Sequence, residues 1–140
     1  MLGIFLIFLI LIYLIFFNNY NFEKFNVNTL ELYLKPLYNI NEKNIGLSFR
    51  KKKLLNNQGA LFVYNKKQFI SMWMKKTYIY LDLLFLDENF IVIDYIENME
   101  PLDIYKSYTS KIKSKYAIEL NGGFIKQNNL NIGTKIKPKF

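Results

Sequence analysis

The chain has 140 residues, no Cys, no His and a formal net charge of +8. Without thiols or imidazoles there is no disulfide framework, no thiolate or imidazole metal site, no Cys nucleophile and no Ser–His–Asp triad. The positive charge suits an anionic partner, but Lys (18), Ile (18) and Asn (17) beside Ala (2), Val (3) and one Arg is the pattern AT-rich coding leaves, so no nucleic-acid partner is expected.

Leu2 to Phe17 is apolar except for Gly3, and no charged side chain precedes Glu23. As a helix this run spans about 24 Å. Extension through Phe22 gives about 33 Å, enough for a hydrocarbon core of about 30 Å. A cleaved signal peptide calls for a basic n-region and a small-residue cleavage site, and neither is present. Residues 1–22 therefore read as an N-terminal hydrophobic helix acting as an uncleaved signal anchor, with a cleaved signal peptide as the alternative. Either sets the remainder on the periplasmic or exterior side of the cytoplasmic membrane. Residues 23–140 suit one small domain.

Alternation at Phe25, Val27 and Thr29, and then at Leu30, Leu32 and Leu34, predicts a strand over 24–35 ended by Pro36. Asn41 as N-cap and Glu42 in the first turn predict a short helix over 41–50. Lys51–Lys53 then complement its C-terminal end. Further strands are predicted over 60–64, 69–75, 81–86, 90–96, 115–120 and 133–137. Turns are expected at 56–59, 65–67, 87–89 and 121–123, with a helical turn or two over 124–129. In 69–75, Phe69, Ser71, Trp73 and Lys75 share one face, and Ile70, Met72 and Met74 the other. The pattern predicts a mainly β domain of α+β type: a small antiparallel or mixed barrel-like sheet with one or two short helices.

Several blocks taken together resemble one family. They are Gly46-Leu47-Ser48-Phe49-Arg50, Gly59-Ala60-Leu61-Phe62, Met72-Trp73-Met74-Lys75-Lys76-Thr77, Leu81 to Asp87, Tyr116 to Gly123, and Ile132-Gly133. In this order, over about residues 25–137, they resemble DUF192, a family of small, often secreted bacterial and archaeal proteins. Ala60, Lys76 and Thr134 stand where the family pattern has Met, Asn and Asp. The resemblance implies a compact β-rich fold with small helical elements and no settled activity.

Six side chains in these blocks can carry chemistry. Arg50 is the only Arg; its planar fork suits a ligand carboxylate or phosphate, or an internal pair with Asp82 or Glu119. Trp73 is the only Trp and offers either core packing or an aromatic wall for a flat ligand. Lys75 and Asp82 flank one connection and can face each other across a hairpin. Thr77 shares the Trp73 face if alternation persists. Glu119 lies in an apolar strand as a buried acceptor or a site carboxylate; with Asp82 it has the residue types of a hydrolase pair. Gly122-Gly123 reads as a turn and Lys51–Lys53 as a solvated end.

The reading that results is a membrane-anchored domain with Arg50, Trp73, Lys75, Thr77, Asp82 and Glu119 around a cleft for a small polar ligand or a protein partner. Alternatives are a hydrolase using Asp82 and Glu119, and a basic adaptor for anionic envelope polymers or lipids. No cofactor or metal is expected. Catalysis is left open, with binding favoured.

Overall fold

The computed structural model describes residues 21–139. Seven strands form one mixed sheet: β1 (Glu23–Val27), β2 (Leu30–Leu37), β3 (Gln58–Gln68), β5 (Leu81–Leu86), β6 (Val92–Met99), β8 (Ser114–Asn121) and β9 (Lys137–Pro138). Their order is β6-β5-β8-β3-β2-β1-β9. Only β2 and β3 run parallel; the other neighbours are antiparallel. Two short strands, β4 (Ser71–Met72) and β7 (Tyr108–Thr109), make a separate pair. The helices are α1 (Ile40–Ile45) and α2 (Phe124–Gln127). The mainly β expectation is met.

Period-2 burial gives the sheet a core on each face. One face carries Leu34, Leu61, Leu84, Ile118 and Leu120, covered by Phe124 and Ile125 of α2. The other carries Ala60, Phe62, Leu83, Phe85 and Ala117, covered by Ile70, Met72, Met74, Met99 and Tyr108. β5 and β8 lie inside the sheet, so β5 is buried at every position, as expected of a strand covered on both sides.

The predicted strand over 24–35 is a hairpin. The apolar phase moves from odd positions (Phe25, Val27) to even ones (Leu32, Leu34) across Asn28-Thr29, and Asn28 takes a φ of 52°. Asn tolerates that left-handed backbone better than most residues. Pro36 does not end β2, which runs to Leu37. α1 is shorter than predicted and is capped by Asn39, not Asn41. The Asn39 side chain accepts from the Glu42 N–H at 2.9 Å, and Glu42 Oε2 accepts from the Asn39 N–H at 3.2 Å. This reciprocal box fixes the start, and Gly46 at φ 47° ends the helix. The expected turn at 65–67 is instead the far half of β3. The strand over 69–75 shrinks to β4, although its burial alternates as predicted.

The sheet does not close into the expected barrel. Its edges β6 and β9 approach only through the segment 133–136, which makes one isolated bridge, Ile91–Lys135. Val92 N–H donates to Thr134 C=O at 2.9 Å and Gly133 N–H to Val92 C=O at 2.8 Å. β9 is two residues long and one is Pro138, which has no N–H to extend a ladder. The predicted anchor helix falls on residues outside the described ones. Among the described residues no helix is long and apolar enough to cross a membrane.

Candidate functional site

Glu119 sits in β8 at the centre of the sheet, opposite Ala60 of β3 and Leu83 of β5. It is 5% exposed. No hydrogen bond reaches its carboxyl from the described residues, and burial alone pushes its pKa up to about 8. Ionising a carboxyl in such surroundings removes it from water without a partner, so the neutral form is favoured.

The carboxyl opens into a cavity of about 290 Å³. α1 and the turn after it supply Ile40, Lys43, Ile45, Leu47 and Ser48; β3 supplies Phe62 and Tyr64; the segment through β4 supplies Phe69, Ser71, Trp73 and Thr77. Gly46 lets the turn after α1 lie close. A Cβ there would stand 3.1 Å from Phe62 Cζ and 3.6 Å from Glu119 Oε2. Burial, and secondarily the nearness of Glu119, pushes the Tyr64 phenol up to about 12. Lys43 Nζ donates to the Tyr38 C=O at 2.6 Å and stands 4.6 Å from the Tyr64 ring centre. Its pKa is lowered by burial.

The structure brings three of the six predicted residues to this cavity: Glu119, Thr77 and Trp73. Trp73 is 61% exposed and stands at the rim. Thr77 is buried while Lys75 is exposed, so they do not share a face. Lys76 takes a φ of 62°, and that left-handed residue breaks the alternation between them. Lys75 does not face Asp82, which is fully buried.

Asp82 pairs with Leu120 across β5 and β8, whereas Glu119 pairs with Leu83. Adjacent positions on a strand point to opposite faces, so the two carboxyls are separated by the sheet. Asp82 Oδ1 accepts from the N–H groups of Asn98 at 2.8 Å and Gly123 at 3.0 Å, and Oδ2 from Ile125 at 2.8 Å. The carboxylate thus ties the β6 strand and the start of α2 to β5, and is spent on structure.

Arg50 lines a smaller cavity of about 170 Å³ with Leu37, Leu54 and Ala60, behind the turn at 45–48. Neither Asp82 nor Glu119 pairs with it, and among the described residues no carboxylate does. The six residues therefore do not form one cleft.

Sequence reasoning missed Tyr64, Lys43, Ser48 and Phe69 as cavity residues. Tyr64 follows Ala60 and Phe62 on one side of β3, so the β3–β8 register would have placed it on the Glu119 side. Lys43 and Ser48 come in through a loop that alternation does not address. No cluster of three or more Asp or Glu side chains gathers among the described residues.

In fold, the chain is similar to a protein from Sinorhizobium meliloti 1021 proposed to be a transcription regulator. The TM-score is 0.81 at 25% identity, covering 85% of this chain and 95% of that one. It is also similar to a protein of unknown function from Novosphingobium aromaticivorans DSM 12444, with TM-score 0.77 and 22% identity, over 83% of this chain and 84% of that one. No relative is found among the curated proteins. The profile of DUF192, described as "Uncharacterized ACR", matches residues 27–138, almost all of the described chain: the chain belongs to the DUF192 family.

Proposed function

We propose that the domain is a binding module, held at the extracytoplasmic side of the membrane by residues 1–22, that takes a small ligand with a polar group in the Glu119 cavity. The observation that carries this reading is the Glu119 carboxyl, 5% exposed, lining the cavity and without a hydrogen bond from any described residue. A carboxyl drawn out of bulk water gains from a hydrogen-bonding partner, and the cavity is where a ligand can bring one. The lining mixes aromatic and aliphatic side chains with polar ones such as Ser48, Ser71 and Thr77, which suits a ligand with both a polar group and an apolar portion. Trp73 and Phe69 give the cavity an aromatic rim.

Two other readings draw less support. A hydrolase built on Asp82 and Glu119 lacks geometry, because the two carboxyls lie on opposite faces. A basic adaptor rests on the net charge of +8 alone.

The single Trp makes the test direct. Titration of the full chain with a panel of small alcohols, carboxamides and amines should give a saturable change in Trp73 fluorescence for at least one compound. Glu119→Leu should abolish it. A panel without any saturable response would overturn the reading. For the anchor, full-length protein should stay with membranes after a carbonate wash. Full-length protein in the soluble fraction would refute it, and a shortened periplasmic product would establish a cleaved signal.

A further inference from the structure

Three titratable side chains line the cavity: Lys43 from α1, Tyr64 from β3 and Glu119 from β8. The turn at 46–48 and the segment at 69–77 add only neutral groups. Among the described residues Lys43 is the one cation in the wall, and its ammonium is bound to the Tyr38 carbonyl and lies over Tyr64. The Tyr64 phenol, pushed up to about 12, is neutral at physiological pH. No cation among the lining residues therefore pairs with Glu119.

What would complete such a site depends on what each kind of ligand does to the acid. A ligand hydroxyl adds a hydrogen bond and leaves the carboxyl protonated. A ligand ammonium turns the carboxyl into half of a buried ion pair, in which each charge offsets part of the other's desolvation when the geometry is good. Trp73 and Phe69 are 61% and 56% exposed at the rim, and both border the cavity. They offer apolar surface that only a ligand with a hydrocarbon or ring portion covers.

We propose that the Glu119 cavity takes a primary ammonium compound with a short aryl or alkyl chain, its ammonium on the Glu119 carboxylate and its chain against Trp73 and Phe69. This names a ligand class for the binding module proposed above and rests on that reading. Binding proceeds with proton release: the ammonium keeps its three hydrogens, the neutral Glu119 carboxyl gives up its own to solvent, and the ion pair forms.

The full chain is titrated with phenethylamine and with 2-phenylethanol, which share a skeleton and differ in the polar group, with Trp73 fluorescence as the readout. Because Glu119 starts protonated below about pH 8, proton release makes amine affinity rise by about tenfold per pH unit from about pH 6 to about pH 8. The alcohol, which binds the neutral acid, gains nothing over that range. Glu119→Gln should remove both the pH slope and the preference for the amine while leaving the alcohol bound. Should that variant fail to fold, the two wild-type pH profiles decide alone. Equal affinity for the two probes at about pH 8, or an amine affinity flat with pH, overturns the ammonium assignment and leaves the binding reading intact. Absence of any response to phenethylamine also overturns the assignment, and the broader panel then decides separately whether the cavity binds at all.

Discussion

Asp82 and Glu119 are offset by one residue across the β5–β8 ladder, and their carboxyls face opposite sides of the same sheet. Both are buried, yet their surroundings are opposite in kind. Asp82 receives three backbone N–H groups, and Glu119 receives none from the described residues. Two acids of similar burial therefore have different duties, one in holding the fold and one at an open cavity.

Substitution should separate them. Asp82→Asn keeps one acceptor oxygen but turns an amide N–H₂ toward a backbone donor. The loss should be about 2–4 kcal/mol, as expected when a buried charge-assisted network is broken. Glu119→Gln removes no hydrogen bond between described residues and lacks the penalty the parent carries for holding a proton at neutral pH, so it should not destabilise the domain there. Urea unfolding of the two variants measures this; equal losses would show that Glu119 is structural too.

Stability should also depend on pH through Glu119. Its folded pKa of about 8 lies above the ordinary carboxyl value of 4.5. The folded state then holds a proton that the unfolded chain has released. Stability from this group is complete below about pH 4.5 and is lost as pH rises toward about pH 8, by at most about 1.4 kcal/mol per unit. Denaturant midpoints across this window should fall in the parent and fall less in Glu119→Gln.

Gly59→Ala should destabilise the domain. A Cβ there would stand 2.5 Å from the Glu119 carbonyl oxygen and 2.8 Å from Leu120 Cδ2. β3 and β8 would have to separate at the centre of the sheet, at a cost of about 1–3 kcal/mol. Thermal melting is the check.

Arg50→Lys should be nearly silent. The lone Arg invites the expectation of an irreplaceable fork, but no carboxylate pairs with it among the described residues. A change within about 0.5 kcal/mol is expected for a substitution at a site without such a partner. A large drop in melting temperature would reveal a contact of another kind.

The strands were legible where alternation or a continuous apolar run marks them, as at Leu81–Leu86 and in the burial of Ile70, Met72 and Met74. The Asn28 turn shows only as a shift of apolar phase from odd to even positions, and alternation on either side of it reads as one long strand. β7 escaped notice because two residues, Tyr108 and Thr109, carry no periodicity. For the site, Glu119, Trp73 and Thr77 were found through their block resemblance and residue type. Asp82 was grouped with them because side-chain direction depends on register, which a single sequence does not state. Tyr64 shares the alternation of Ala60 and Phe62, which points to Glu119 only once the β3–β8 register is known, whereas Lys43 reaches the cavity through tertiary packing of α1 over the sheet, of which local pattern carries no trace.

The segment that follows α2 holds both margins of the sheet at once. Val92 N–H is bound to Thr134, and Lys139 N–H to Lys24 on the first strand. If this clasp peels away, β6 and β1 are uncovered together, and each then offers an unpaired ladder to a neighbouring chain. The amides of Val92 and Lys139, more than forty positions apart, should therefore exchange with deuterium at one common rate set by a single opening. The same opening is the step from which self-association would begin.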